Sequence, residues 1–469
     1  MKLAVEEDLS EWQIAPTSKM FSYGFGYLIV NYLIGTGFAL VFYYYEVEVG
    51  LPVIFVGLAF LLYAIWNMVN DPLLGYFTDK PRKWTRKWGL RAPWVVLSAF
   101  PMLICYYFIF SPPDIDTKQN PLIIFLYMIA ITALFDTFFS IFNTHVYGGF
   151  TNQFKSEYER RRGFAIIIAI AGFGVVGIRL IPPFIIQYGN RGSFATAALF
   201  VVICLGICNL FLFLGIRESE EMKEMFIRGY EKAGEKGFFK VMKKSFTHRN
   251  FVVSLIGYTS IITAQTLSAA SGIYMLKDVY KVPYTYAVFT ALAGLAGYIL
   301  SIPFWYNYAR KHGFKRTYYV SLFFAGCLYI PALFLTNIWH AVIVTFIGGI
   351  PYAGYTVMTM PVASDTMDEV ATSLGRRQDG TLQGIRNFFF RIALVVQGVV
   401  LTSIHIITGY NPDPNATQTP LAIIGIRIHA GLIPALIMFM MCIIFYKFYT
   451  LEGAEKEAMV KKLKDMELY

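Results

Sequence analysis

The sequence predicts an all-α membrane protein, with twelve spanning helices in two six-helix bundles and both termini on the cytoplasmic side. Three observations predict it. Of the 469 residues, 56% are hydrophobic and only 15% are charged, against about 25% charged in an ordinary soluble domain. The apolar residues gather into twelve runs, most of them near the 20 residues that cross a bilayer as a helix. Lys and Arg then alternate between rich and poor loops, as they do when basic loops are retained in the cytoplasm.

Taken in order, the runs lie at 20–45, 52–76, 93–111, 121–149, 163–188, 194–216, 251–276, 285–308, 317–336, 338–361, 381–408 and 421–449. Each is bounded by charged or turn-forming residues and tolerates internal Gly and Pro, as spanning helices do. The chain opens on Glu6, Glu7, Asp8 and Glu11 without the apolar core of a cleavable leader, so it is expected to enter the membrane through its first span. That span closes on Phe42-Tyr43-Tyr44-Tyr45, aromatic residues suited to the headgroup level. The loops at 77–92, 150–162, 217–250, 309–316 and 362–380 carry most of the Lys and Arg, whereas the alternate loops hold only Lys118, Arg191, Lys277 and Lys281. An even number of spans therefore puts both ends in the cytoplasm. The net charge of +10 belongs to membrane orientation, not to nucleic acid, and the expected partners are the lipid bilayer and a small-molecule substrate of a monomeric protein.

The longest internal polar stretch divides the spans six and six. This gives an N-terminal bundle at 1–216, a cytoplasmic linker at 217–250, a C-terminal bundle at 251–449 and a cytoplasmic tail at 450–469. An amphipathic surface helix is expected within 218–247. Basic loops recur at equivalent places, Asp79-Lys80-Pro81-Arg82-Lys83 in the first half and Arg310 to Arg316 in the second. Two equivalent bundles around a midplane site are the organisation of alternating access.

Ionisable groups inside spans are costly and therefore point to function. In the second span Asn67, Asn70 and Asp71 stand at i, i+3 and i+4 and share one helix face, where oxygens could hold a monovalent cation or Asp71 a proton. In the fourth span Asp136, Ser140 and Asn143 share a face suited to hydrogen-bonding a polyol; the competing reading of Asp136 is an ion pair between the bundles. Candidate partners are Arg179, Arg386, Arg391 and Arg427 with His429. Arginine stays charged, so it neutralises a carboxylate or clamps an anionic substrate group rather than relaying protons.

No catalytic set competes. His145, His405 and His429 lack metal-ligand spacing, and neither a Walker-type phosphate loop nor a Gly-x-Ser-x-Gly elbow occurs. An enzyme or an ATP-driven pump is not expected, nor a cofactor beyond a coupling H+ or Na+. The five cysteines lie inside apolar runs and read as small core residues. Asn415-Ala416-Thr417 forms a glycosylation sequon.

The run Asn70-Asp71-Pro72-Leu73-Leu74-Gly75, followed by Arg86-Lys87-Trp88-Gly89-Leu90-Arg91-Ala92-Pro93-Trp94, resembles the signature of the glycoside–pentoside–hexuronide:cation symporters of the major facilitator superfamily. Tyr23-Gly24-Phe25-Gly26, Asp136 and the stretch Asp368-Glu369 through Gly375-Arg376-Arg377-Gln378-Asp379-Gly380 add to the likeness in order along the chain. The resemblance implies the major facilitator fold, a cation site in the second and fourth spans, and a sugar site between the bundles. Asp71 falls on one of the family's two cation-site carboxylates and Asn70 on its amide neighbour. Asn67 stands where the other carboxylate is usual, and Ala133 where a hydroxyl ligand occurs, which moves proton coupling ahead of sodium. On the substrate side Asp136 is kept, Asn31 replaces an aspartate, Ser140 replaces an aromatic residue, Arg162 matches a sugar-side arginine and Arg391 replaces a lysine. Losing one negative group and keeping the positive ones implies a small sugar-like solute with an anionic or zwitterionic group. The alternative is a lysolipid or other amphiphile on the same scaffold, and a membrane-embedded sensor or enzyme comes third.

Overall fold

The computed structural model describes residues 16–34, 39–78, 82–154, 157–220, 222–224, 238–374 and 379–466, and all regular structure in them is helical. Asp79, Lys80 and Pro81 of the first basic loop, most of the linker, and Gly375 to Gln378 lie outside the described residues. The first span comprises Thr17–Tyr32 and, further on, Val41–Tyr43 running into a π-helical turn, Tyr44–Glu48. The second to sixth spans are Val53–Thr78, Ala92–Ile109, Pro121–Gln153, Glu157–Arg179 and Arg191–Gly215. The seventh is Arg249–Tyr274, continued by a π-turn at Met275–Val279. The eighth and ninth form one stretch, Ala287–Tyr329, broken at Gly313. Its φ of 77° there lies in the region that glycine enters without a Cβ clash. The tenth is Ile338–Leu374, the eleventh Asp379–Thr408, and the twelfth runs from Pro420–Arg427 through a π-turn at Ile428–Leu432 into Ile433–Phe448.

Among the described residues, 9 helical stretches are individually long and apolar enough to cross a membrane. One of these, Tyr284–Leu333, is 50 residues long and crosses twice. The described helical stretches of the first span, Thr17–Tyr32 and Val41–Tyr43, are each shorter than a crossing, and the fifth opens on the polar residues Glu157–Arg162, so neither qualifies on length and apolarity alone. Several helices outrun the apolar limits of the sequence: the fourth continues to Gln153 and the tenth to Leu374, past Asp365 and Glu369. A helix need not end where the bilayer ends, because water then accepts its polar side chains. Phe173, Leu214 and Ile407, 83%, 77% and 76% exposed, present their side chains outward, where hydrocarbon is the solvent.

Among the described residues, apolar packing joins the two halves on one side. One core runs through the first six spans and continues into Leu267, Ile273, Leu401 and Ile426 of the C-terminal half. A second core, with Val253, Tyr318, Met438 and Phe445, belongs to the C-terminal half alone and lies toward its basic end. The main direct contact between halves is the second span against the eleventh. Glycine permits it: a Cβ on Gly57 would overlap Thr402 Oγ1, and one on Gly398 would stand 2.9 Å from Phe60 Cβ. Both pairs lie in the half of the molecule away from the basic loops, so the structure is closed there.

The linker is stapled where it begins. Glu218 accepts from the Arg91 backbone N–H at 3.2 and 3.1 Å, across a turn at Gly89 with φ +91° where a Cβ would strike the same carboxylate. Burial pushes the Glu218 carboxyl above its ordinary value, against the backbone N–H groups and Arg91, which favour the anion. Of the expected linker helix, Phe238–Ser245 is described. The tail forms a helix, Gly453–Asp465, held to the tenth span by Lys456 and Asp365 at 2.5 Å.

Candidate functional site

The second, fourth and eleventh spans meet at a cluster of charges with a cavity beside it. Asp71 Oδ2 pairs with Arg391 Nη2 at 3.0 Å, and Asp71 Oδ1 accepts from Ser140 Oγ at 2.5 Å. Asp136 is 0% exposed; its Oδ1 accepts from Tyr63 Oη at 3.2 Å and lies 3.9 Å from Arg391 Nη2, and its Oδ2 accepts from Asn70 Nδ2 at 3.3 Å. The helical spacing explains part of the gathering: Asp136 and Ser140, four residues apart, share one face of the fourth span, and the neighbouring Asn70 and Asp71 of the second each reach one of them. Arg391 comes from the other half of the molecule, so its ion pair ties the halves together.

The two carboxylates are not equivalent. The Asp71 side chain is 31% exposed and Asp136 is sealed, so Asp71 is the more accessible of the two, while Arg391, its partner, lines the cavity. Every partner of either group is a hydrogen-bond donor, and one guanidinium faces two carboxylates. With both ionised, the cluster keeps one negative charge in excess, which a single proton or monovalent cation would offset.

The other sequence candidates distribute around this cluster. Asn67 is fully buried; its amide donates back to the Tyr63 carbonyl at 2.9 Å, and its Oδ1 has no hydrogen-bond partner among the described residues. Asn143 Oδ1 is likewise buried without one. Asn31 accepts from Tyr147 Oη at 3.5 Å. Arg386, 2% exposed, lies over the Tyr258 ring at 4.4 Å. Arg162 stands apart, exposed, donating to Thr17 Oγ1 at 2.9 Å where the first span begins. Tyr63 and Thr137, which accepts from Asn70 at 3.4 Å, belong to the cluster although nothing in the sequence singles them out.

The cavity is small, about 60 Å³, well under the volume of a site that encloses a whole small molecule. Leu33, Phe135, Phe139, Phe390 and Leu394 line it, with Tyr63, Thr266, Arg391 and Gln397 as its polar groups. A helical bundle pair with a charged, solvent-reachable cavity at the seam defines a secondary transporter of the major facilitator fold, an integral protein that crosses the membrane many times.

The sequence pattern of the family described as MFS/sugar transport protein matches residues 21–453. The chain belongs to that family, the glycoside–pentoside–hexuronide:cation symporters. It is 22% identical over 462 residues to the uncharacterized symporter YnaJ of Bacillus subtilis (strain 168), covering 94% of each protein. It is also 22% identical over 457 residues to sodium-dependent lysophosphatidylcholine symporter 1 of Gallus gallus, covering 88% of this chain and 81% of that one. Among solved structures it resembles a mutant form of the nucleoside transporter NupG, with a TM-score of 0.64 at 13% identity over 92% of this chain and 100% of the other. A proton-dependent oligopeptide transporter gives 0.57 at 12% identity, over 96% and 98%. These relatives and neighbours are transporters.

Proposed function

We propose that the chain is a proton-coupled symporter of a small sugar-like solute that carries an anionic or zwitterionic group. The observation that supports it is the ion pair of Arg391 with Asp71 across the seam, with Asp136 at 3.9 Å and one negative charge left over. A substrate anion entering the cavity competes for the guanidinium, and Asp71, released from it, takes the proton. Asp136, oriented by Tyr63 and Asn70 and sealed while the Arg391 pair holds, becomes an acceptor for substrate hydroxyls once that pair opens. The ring would lie against Phe139 or Phe390 on the cavity wall. Proton coupling is favoured over sodium because the carboxylate oxygens are met by N–H and O–H donors, whereas a sodium ion needs several oxygen acceptors pointing inward.

Uptake into proteoliposomes tests this directly. A uronate or sulfonated glycoside should enter under an imposed pH gradient and alkalinise the outer medium, while its neutral parent enters slowly. Entry of the neutral compound alone rejects the anionic assignment, and uptake driven by sodium at equal pH rejects proton coupling.

A second reading has its own support. Most of the cavity wall is aliphatic or aromatic, with Arg391 at one place on it, which would suit an amphiphile with a charged head. A relative named as a sodium-dependent lysophosphatidylcholine symporter points the same way. Thermal-shift measurements against sugar acids and lysolipids separate the two, since the true ligand raises the transition in proportion to its occupancy.

A further inference from the structure

The seam away from the basic loops holds a second polar cluster, which takes no part in the Asp71, Asp136 and Arg391 set. Glu46, in the π-helical turn of the first span, is 2% exposed. Its carboxylate accepts from Tyr274 Oη at 2.5 Å and meets His405 Nδ1 at 2.7 and 3.0 Å. His405 Nε2 lies 3.3 Å from His429 Nε2, and His429 Nδ1 lies 2.7 Å from Ser271 Oγ. The row thus runs from the N-terminal half through the eleventh and twelfth spans to the seventh, and it is buried throughout.

Where the protons sit follows from the groups that have none to give. Ser271 has one hydroxyl hydrogen, and the Leu267 carbonyl 2.6 Å away can only accept it. His429 Nδ1 must therefore donate to Ser271 Oγ, which leaves a neutral His429 with a bare Nε2 facing His405 Nε2. A neutral His405 then leaves one contact short of a proton in either tautomer: with Nδ1–H it bonds Glu46 but sets two bare Nε2 atoms 3.3 Å apart, and with Nε2–H it turns a bare Nδ1 toward the Glu46 carboxylate, lone pair against lone pair at 2.7 Å. One added proton, on either group, converts that contact into a charge-assisted or neutral hydrogen bond. The surrounding ionisable groups do not supply it. Lys277 is paired with Asp278 at 3.2 Å, Asp278 also accepts from Tyr410 Oη at 3.0 Å, and Arg427 is spent on the Leu333 carbonyl at 2.9 Å. Glu48 accepts from Tyr43 Oη at 3.2 Å.

We infer that Glu46 and His405 form a proton-binding site on the outer side of the seam, and that outer closure of the transporter takes up one proton there, whichever ion Asp71 carries. The two residues belong to different halves, so opening that side pulls them apart and gives the proton back to the medium it came from. Deprotonation of the closed row restores the repulsion and favours opening.

Spin-label distances across the outer loops test it on the full chain in nanodiscs. Labels at Lys118→Cys and Thr336→Cys, both exposed, are placed in a background with the native cysteines changed to serine. Between about pH 5 and about pH 8, where imidazoles and perturbed groups titrate, the open-to-closed ratio should fall with acid. Its limiting slope is about tenfold per pH unit, that of one linked proton. Glu46→Gln mimics the protonated carboxyl, its amide donating to His405 Nδ1, and should stay closed across the range. Asp71→Asn should leave the outer titration in place. An outer distance indifferent to pH in the labelled protein with Glu46 and His405 intact overturns the inference, and that measurement stands even where Glu46→Gln does not fold. A titration that survives Glu46→Gln but vanishes in Asp71→Asn also overturns it, moving the proton to the central cluster and leaving the proposal for Asp71 intact.

Discussion

Arg391 can satisfy one carboxylate fully and a second only in part, at 3.0 Å from Asp71 and 3.9 Å from Asp136. Removing it leaves two anions in a poorly solvated place, a change that costs about 3–5 kcal/mol for a broken buried pair. Arg391→Gln should therefore lower the unfolding temperature in detergent markedly, and Asp71→Asn added to it should recover part of the loss. Asp71→Asn alone should abolish accumulation of solute against a gradient while sparing exchange, measured in vesicles with labelled substrate; unchanged accumulation would remove Asp71 from coupling. These residues were legible in the sequence because a charge within an apolar run is expensive and therefore conspicuous. Tyr63 and Thr137 were not, since neither side chain costs enough in a spanning helix to stand out. Glu46 escaped notice for a different reason: it follows three tyrosines just past the predicted limit of the first span, where a carboxylate reads as solvated, and only the fold shows it buried against His405.

At the scale of elements, contact between halves depends on two glycines. Leucine at position 57 would place its side chain on Thr402, and overpacking of this kind costs about 1–3 kcal/mol. Since 1.4 kcal/mol is tenfold in an equilibrium, Gly57→Leu should shift the population toward an open outer side by about tenfold or more, read from the same loop distances. The loop between the second and third spans has its own fastener. Glu218→Ala deprives the Arg91 N–H of its acceptor, a loss of about 1.5–3 kcal/mol for a bond to a charged group, and should loosen the loop enough to speed trypsin cleavage at the already exposed Arg86 and Lys87 without unfolding the bundles. Span positions were readable from apolar length and bounding residues to within a few positions. The helical extensions to Gln153 and Leu374 were not, because an apolar count stops at the first polar turn while backbone hydrogen bonding continues into water. The break at Gly313 was visible as a basic loop, though not that the helices on either side would be nearly continuous.

At the scale of the whole molecule, the described residues form cores fused on one side of the seam and separate on the other, the arrangement of a carrier closed to the exterior. That geometry lay beyond the sequence, which specifies twelve spans and two halves but is the same for every state of the cycle. Membrane voltage adds a further consequence of the cluster's charge count. An unloaded site with both carboxylates ionised carries one negative charge in excess, whereas a protonated site is neutral. Swinging that charge across the full field is worth about 2.3 kcal/mol per 100 mV, or nearly fiftyfold. In a cell that is negative inside, the electric field therefore drives the empty site outward and resets the carrier for its next load. Currents recorded on supported membranes should show charge movement in the return step, and Asp71→Asn, which cancels the surplus, should silence it.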